Sequence, residues 1–201
     1  MKTLVILLTV LESLLQVLSG NTLVSDINMQ VSSSASQPIT YAGTMAMKGE
    51  RFKIEIMGMA GAYDGTTLAI YQQEADELTL SNPTREELTQ VNPLLLLQAA
   101  LPMCNTTEKA SKKGDETIIT FTPKDTQPAT TAQAALANDI KDIKKMVLRV
   151  NNSDMLIRSI EITETNSVSL LSFIGARYTE DIFSFTLKPD DYPTAYVNDI
   201  R

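Results

Sequence analysis

The stretch that decides the fold lies in the first third of the chain and reads MAMKGERFKIEI, residues 45–56. On both sides of Lys48-Gly49-Glu50, apolar residues alternate with small or polar residues, which is the pattern of a half-buried β-strand. A glycine between the two alternating runs is typical of a tight turn. The stretch therefore predicts two antiparallel strands joined as a hairpin.

The same period of two continues in both directions from this hairpin. Residues 23–31 alternate before it, and Asp64-Gly65 predicts a tight turn that leads into a strand with Leu68 and Ile70. Six further strands are predicted, at residues 78–80, 117–122, 145–150, 156–163, 168–176 and 183–187.

The first twenty residues have the period of a helix instead. Leucines recur three and four residues apart from Leu4 to Leu18, which is typical of one apolar helix face. The segment 1–20 fits either an N-terminal amphipathic helix or a residual signal-like segment. Glu12 and Gln16 interrupt the apolar run and favour the helix.

A second helical region is predicted in the middle of the chain, at residues 84–103. It begins with Thr84 as a cap, and Glu87 three residues later completes the pattern of a capping box. Asn92-Pro93 then begins a short helix that is apolar on every side and ends at Pro102. A helix of this kind must be covered on both faces or must itself cover an apolar surface.

These elements predict one α+β domain, residues 1–201. Strands fill 21–81 and 115–201, the helices lie at 1–20 and 84–103, and the alanine-rich segment 127–142 is expected to be an inserted loop or short helix. About ten or eleven antiparallel strands are expected, and a sheet of that size can enclose an interior that side chains do not fill.

The composition excludes most enzymatic and nucleic-acid functions. Lysine and arginine number 17 against 24 acidic residues, a net charge of −7, which disfavours binding to nucleic acid. Histidine is absent and Cys104 is the only cysteine, so an imidazole base, a Cys/His dyad and a Cys/His zinc site cannot form. We therefore predict no catalytic residues, no metal and no cofactor.

Methionine is common in the apolar positions of the strands, and eight methionines occur besides Met1. Because methionine is unbranched and polarizable, a wall that contains Met29, Met45, Met47 and Met103 can adapt to ligands of different shape. The same residues are equally compatible with an ordinary core. Periodicity leaves both interpretations open.

Several short motifs resemble the LolA-like family of outer-membrane lipoprotein carriers, in particular its Bacteroidetes-type members. They occur in the same order as in that family and cover the chain from about Gly20 to Arg201. The motifs are MKGERF at 47–52, YDGTTLAIY at 63–71, DEL at 76–78, NPT at 82–84, NP at 92–93, FSF at 183–185, DYP at 191–193 and DIR at 199–201.

The resemblance implies a half-open antiparallel β-barrel with an N-terminal helix and two short lid helices over an apolar cavity. It implies a monomeric, non-enzymatic periplasmic carrier that takes acylated lipoprotein from an inner-membrane release transporter to an outer-membrane receptor. The residues expected to line the cavity are Met29, Met45, Met47, Phe52, Ile54, Ile56, Leu68 and Ile70, and those expected in the lid are Leu94, Leu97, Leu101 and Met103.

The sequence departs from the family at the hairpin turn. The better-known members have an arginine directly after the lysine of this turn, which latches the lid, whereas here Gly49 follows Lys48. Arg51 is the candidate replacement for that latch. Because Arg51 directly precedes Phe52, we expect its side chain on the opposite face of the strand from the cavity.

Two other functions are compatible with the sequence. Domains of this shape also serve as periplasmic regulatory domains that sense lipid or lipoprotein. A small enzyme or inhibitor that uses the mouth of the barrel is the second alternative, and the sequence offers it no nucleophile with an adjacent base.

Overall fold

The computed structural model describes residues 2–33, 36–124 and 140–201. In these ranges the chain forms three α-helices and twelve β-strands. The helices are α1 (Lys2–Gly20), α2 (Arg85–Val91) and α3 (Pro93–Ala100). The strands are β1 (Thr22–Ser33), β2 (Ser36–Lys48), β3 (Arg51–Ile56), β4 (Met59–Tyr63), β5 (Leu68–Gln72), β6 (Glu77–Ser81), β7 (Cys104–Ala110), β8 (Glu116–Pro123), β9 (Ile143–Asn151), β10 (Ile157–Glu164), β11 (Ser167–Thr179) and β12 (Tyr196–Asp199).

All twelve described strands belong to one sheet, in the order β12-β6-β5-β4-β3-β2-β1-β11-β10-β9-β8-β7. Every neighbouring pair is antiparallel except β12 and β6, which run parallel. Because β12 and β7 stand at opposite ends of this order, the described sheet is open and does not close into a barrel. The predicted α+β class with a half-open antiparallel sheet is confirmed.

The two faces of the sheet pack against different parts of the chain. We call the face that packs against α1, α2 and α3 the helix face, and the other the outer face. Strand β5 shows the alternation: Leu68 and Ile70 belong to the apolar cluster of the helix face, whereas Ala69 and Tyr71 belong to a smaller cluster on the outer face.

Helix α1 packs on the sheet through leucines three and four residues apart. Leu11, Leu14 and Leu18 are buried in the same cluster as the strand residues of the helix face, while Glu12 and Gln16 are exposed. The side chains of Leu4, Leu7 and Leu8 lie outside the described part of the molecule. No helix among the described residues is both long enough and apolar enough to cross a bilayer.

The strand predicted at residues 183–187 is wrong. Phe183, Phe185 and Leu187 do alternate with polar residues, but the segment forms no ladder with a neighbouring strand. It covers the outer face instead, where Phe185 and Leu187 are buried. Period-two alternation therefore reflects burial of one side of an extended segment, which does not require membership of a sheet.

The sequence pattern also missed three strands, β4, β7 and β12. Strand β7 stands at the edge of the sheet, and from Asn105 to Lys109 it carries only polar and charged side chains. An edge strand does not need the apolar alternation of a half-buried strand. The predicted insertion at 127–142 lies outside the described residues up to 139, and Ile140 at its end is buried in the helix-face cluster.

We predict that α1 is part of the core. Replacing Leu14, which is fully buried, with alanine should lower the free energy of unfolding by about 2–5 kcal/mol, because it leaves a cavity between α1 and the sheet. Gln16→Ala, two residues away on the exposed side, should change it by less than about 0.5 kcal/mol. Urea unfolding followed by circular dichroism measures both, and equal stabilities of the two variants would contradict the packing.

Candidate functional site

An apolar row crosses the middle of the helix face from one strand to the next. Residues that are direct neighbours in the register form this row, and it runs through five strands. Its members are Met29, Leu171, Ile160, Leu148 and Ile119. Leu148 and Ile119 are fully buried, whereas Met29 and Leu171 are only partly buried. The row therefore becomes accessible toward β1.

Helices α2 and α3 lie over this face and are joined with no loop between them. Thr84 begins α2 as a capping box: its hydroxyl accepts a bond from the Glu87 amide at 3.2 Å, and the Glu87 carboxylate accepts one from the Thr84 amide at 2.7 Å. The cap predicted from the sequence is thus present.

Asn92 connects the two helices. Its side chain is buried, and its Oδ1 accepts hydrogen bonds from the amides of Leu94 and Leu95 at 3.0 and 3.4 Å, which caps the start of α3. Its own backbone amide donates to the Leu88 carbonyl at 3.0 Å and so ends α2. One residue therefore fixes the angle between the helices.

A cavity of about 240 Å³ lies between this helix pair and the sheet, and we call it the lid cavity. Most of its lining side chains are apolar and half-buried, so solvent reaches it. The lining residues are Met29, Ile54, Ile56, Thr89, Gln90, Val91, Leu96, Ile160, Ile162, Glu164, Ser169 and Leu171.

The polar lining residues gather at the rim of the lid cavity. Glu164 and Gln90 are exposed, and Ser169 is partly buried. The Glu164 carboxylate accepts a hydrogen bond from the Ser167 hydroxyl. Thr89 is buried, but its hydroxyl already donates to the Glu86 carbonyl at 2.6 Å. The cavity is thus an apolar pocket with an acidic rim.

All eight predicted cavity residues belong to the apolar cluster of the helix face. Only Met29, Ile54 and Ile56 line the lid cavity itself. The other five belong to the same cluster but do not line this cavity: Met45, Met47, Phe52, Leu68 and Ile70.

The four predicted lid residues also pack against this cluster. Leu94 and Leu97 are buried within α3, whereas Leu101 and Met103 are partly buried in a 3₁₀ turn that continues it. The residue of α3 that lines the cavity is Leu96, one position before Leu97. A helix apolar on all sides gives no signal in sequence for which of its leucines faces the opening.

Arg51 lies on the outer face. Its guanidinium carbon is 5.4 Å from the centre of the Phe185 ring, within the range of a cation–π contact. The neighbouring Phe52 is buried on the helix face, as expected for adjacent residues of a strand. In the described part of the chain, no bond joins Arg51 to α2 or α3.

A different ion pair connects the hairpin turn to the lid. Glu50 Oε1 lies 3.5 Å from Arg85 Nη2 at the start of α2, and the two side chains are 54% and 65% exposed. A pair this exposed contributes less than about 1 kcal/mol. The lid is therefore held mainly by apolar packing and by its caps.

Sequence reasoning missed the part of the cavity wall contributed by β10 and β11. Ile160, Ile162 and Leu171 line the cavity opposite α2. Their alternation was visible in the sequence, but the pairing of β1 with β11, more than a hundred residues later in the chain, is set by tertiary structure. Nothing local to β1 indicates that partner.

The described residues show no arrangement for metal binding. In the ranges that the structure describes, no group of three or more His, Cys, Asp or Glu side chains could hold a metal ion.

The sequence matches no protein-family model and no curated protein sequence. An uncharacterized conserved protein from Thermus thermophilus has a similar structure, with a TM-score of 0.54 and 8% identity over 94% of this chain and 96% of that chain.

The open sheet with helices on one face is also the architecture implied by the sequence motifs. A LolA superfamily protein from Nitrosomonas europaea is among the similar structures (TM-score 0.44, 11% identity, 89% of this chain and 96% of that chain), as is the lipoprotein LppX from Mycobacterium tuberculosis (0.46, 13%, 90% and 98%). At identities of 11% and 13% this likeness is one of overall fold alone.

We expect Cys104 to be unreactive in the native protein. It is buried at the start of β7, and burial raises the pKa of its thiol, an effect that Lys124 opposes only in part. The reactive thiolate is therefore scarce at neutral pH. Labelling with a water-soluble disulfide reagent at pH 8 should be at least about tenfold slower than in urea-unfolded protein. Equal rates in the two states would contradict the burial of the thiol.

Proposed function

We propose that this chain is a non-enzymatic carrier that binds the acyl chains of a lipoprotein in the lid cavity. The observation that carries the proposal is an apolar cavity, open to solvent, between the sheet and a pair of short helices. Apolar cavities with a few polar groups at one side are the usual form of sites for apolar ligands. Binding there requires no catalytic group.

The apolar surface beyond the cavity supports the same function. Val31 follows Met29 on the helix face, and its register partner Ile39 is 51% exposed. Tyr41 is the register partner of Met29 and is also partly buried. Apolar surface therefore extends from the cavity along the β1–β2 hairpin and gives an acyl chain a path to the lid cavity.

The volume limits how much of a ligand fits before the lid moves. A cavity of about 150 Å³ in another protein holds a six-carbon benzene ring, so by proportion the lid cavity holds roughly ten carbons of a single chain. A lipoprotein with several acyl chains then requires α2 and α3 to move away from the sheet. The weak Glu50–Arg85 pair does little to oppose that movement.

The biological role follows from the resemblance in the sequence rather than from the cavity. We propose a periplasmic protein that acts as a monomer, receives acylated lipoprotein from an inner-membrane release transporter and delivers it to an outer-membrane receptor. The net charge of −7 supports an apolar mode of binding, because broad electrostatic attraction to anionic membranes or nucleic acid is unfavourable.

If the lid cavity binds the acyl chain, substitutions at two adjacent leucines of β11 should affect ligand binding differently. Leu171 lines the lid cavity, and Leu170 points to the outer face; both are partly buried. Leu171→Gln should weaken binding of an N-decanoyl peptide about tenfold or more, because it places a side-chain amide that has no hydrogen-bond partner against the bound acyl chain. Leu170→Gln should change the dissociation constant by less than about twofold.

Isothermal titration calorimetry of the full chain measures both constants. Equal weakening by the two variants would show that the loss comes from instability of the strand. Absence of binding to the unmodified protein would contradict the proposed function itself.

The cavity volume predicts a limit in chain length. Affinity for N-acyl peptides should rise by about 0.8 kcal/mol for each added methylene, because each one buries further apolar surface. The increase should stop at about ten carbons, where the closed cavity is full. A calorimetric series from six to sixteen carbons gives this curve, and a steady rise to sixteen would show that the cavity enlarges at no cost.

A further inference from the structure

We infer that the rim of the lid cavity selects acyl chains in uncharged ester or amide linkage and rejects free fatty acid anions. This inference rests on the proposed function and adds the chemical class of the ligand's polar end. Among the described residues that line the cavity, Glu164 is the only charged one. A chain that fills the apolar pocket must leave its polar end at this rim.

The charge of Glu164 is not compensated by a cation. Its hydrogen-bond donor is the neutral Ser167 hydroxyl, and within the described ranges no lysine or arginine forms an ion pair with it. The nearby Lys145 pairs instead with Glu161, which points to the outer face of the same strand. A carboxylate at the end of a bound chain therefore meets a second negative charge.

The other rim groups suit an uncharged linkage. The Gln90 amide and the Ser169 hydroxyl make no hydrogen bond to any described residue, so both are available to donate to a carbonyl oxygen. An ester or amide carbonyl accepts such bonds without bringing a charge. Repulsion between two solvent-exposed carboxylates about 4 Å apart corresponds to about fivefold in affinity.

The test compares three probes with the same ten-carbon chain, each below its critical micelle concentration: 1-decanoylglycerol, N-decanoylglycine amide and decanoate. Calorimetry on the full-length protein at pH 8 should give a dissociation constant for decanoate about fivefold weaker than that for either uncharged probe. The ratio between the two uncharged probes distinguishes a free glyceride from an acylated peptide as the source of the chain.

Two variants test whether the rim carboxylate causes the discrimination between decanoate and the uncharged probes. Glu164→Gln should reduce the discrimination against decanoate to about twofold or less, because it removes the charge and keeps the shape. Glu161→Gln removes a carboxylate from the outer face of the same strand and should leave the discrimination unchanged. If the unmodified protein binds decanoate as tightly as the uncharged probes, the inference is overturned and the proposed function remains intact. Failure to bind any of the three overturns the proposed function.

Discussion

A wide apolar sheet face that helices cover only in part is the constraint on which the structure depends. In the described part of the chain, twelve strands form one sheet and three helices pack on one of its faces. Helix α1 closes one part of it through Leu11, Leu14 and Leu18, and the short helices α2 and α3 close another. The lid cavity lies where the coverage ends. An open sheet of this size can therefore leave an apolar cavity beside its helices without any specialised side chain.

The outer face of the sheet also carries apolar residues that must be covered, and they form a second cluster. The strand residues buried there are Ala60, Ala62, Ala69, Leu78 and Leu80, and Leu187 of the extended segment packs against them. Tyr192 of that segment stacks on Tyr71 with ring centres 4.0 Å apart. This outer cluster is the smaller of the two, and the lid cavity lies on the helix face.

Local sequence patterns predicted most of this fold. They also placed the eight predicted cavity residues on one face of the sheet, but did not indicate which of them line the lid cavity. The hairpin at residues 45–56 and the capping box at Thr84 follow from chemistry that acts over a few residues, and each is present. Alternation gave the wrong prediction where burial on one side and membership of the sheet do not coincide. The segment Phe183–Leu187 alternates but pairs with no strand, whereas the edge strand β7 belongs to the sheet but does not alternate. Alternation also could not separate the cavity-lining Met29 from the buried Met47, because the position of the lid helices depends on packing between distant segments.

The double role of Asn92 bears on how the cavity can open. Its backbone ends one helix while its carboxamide begins the next, all in a buried position. Moving either helix alone would break these bonds and leave polar atoms without partners, which is costly. We therefore expect α2 and α3 to move together as one body about their flanking segments when the cavity opens.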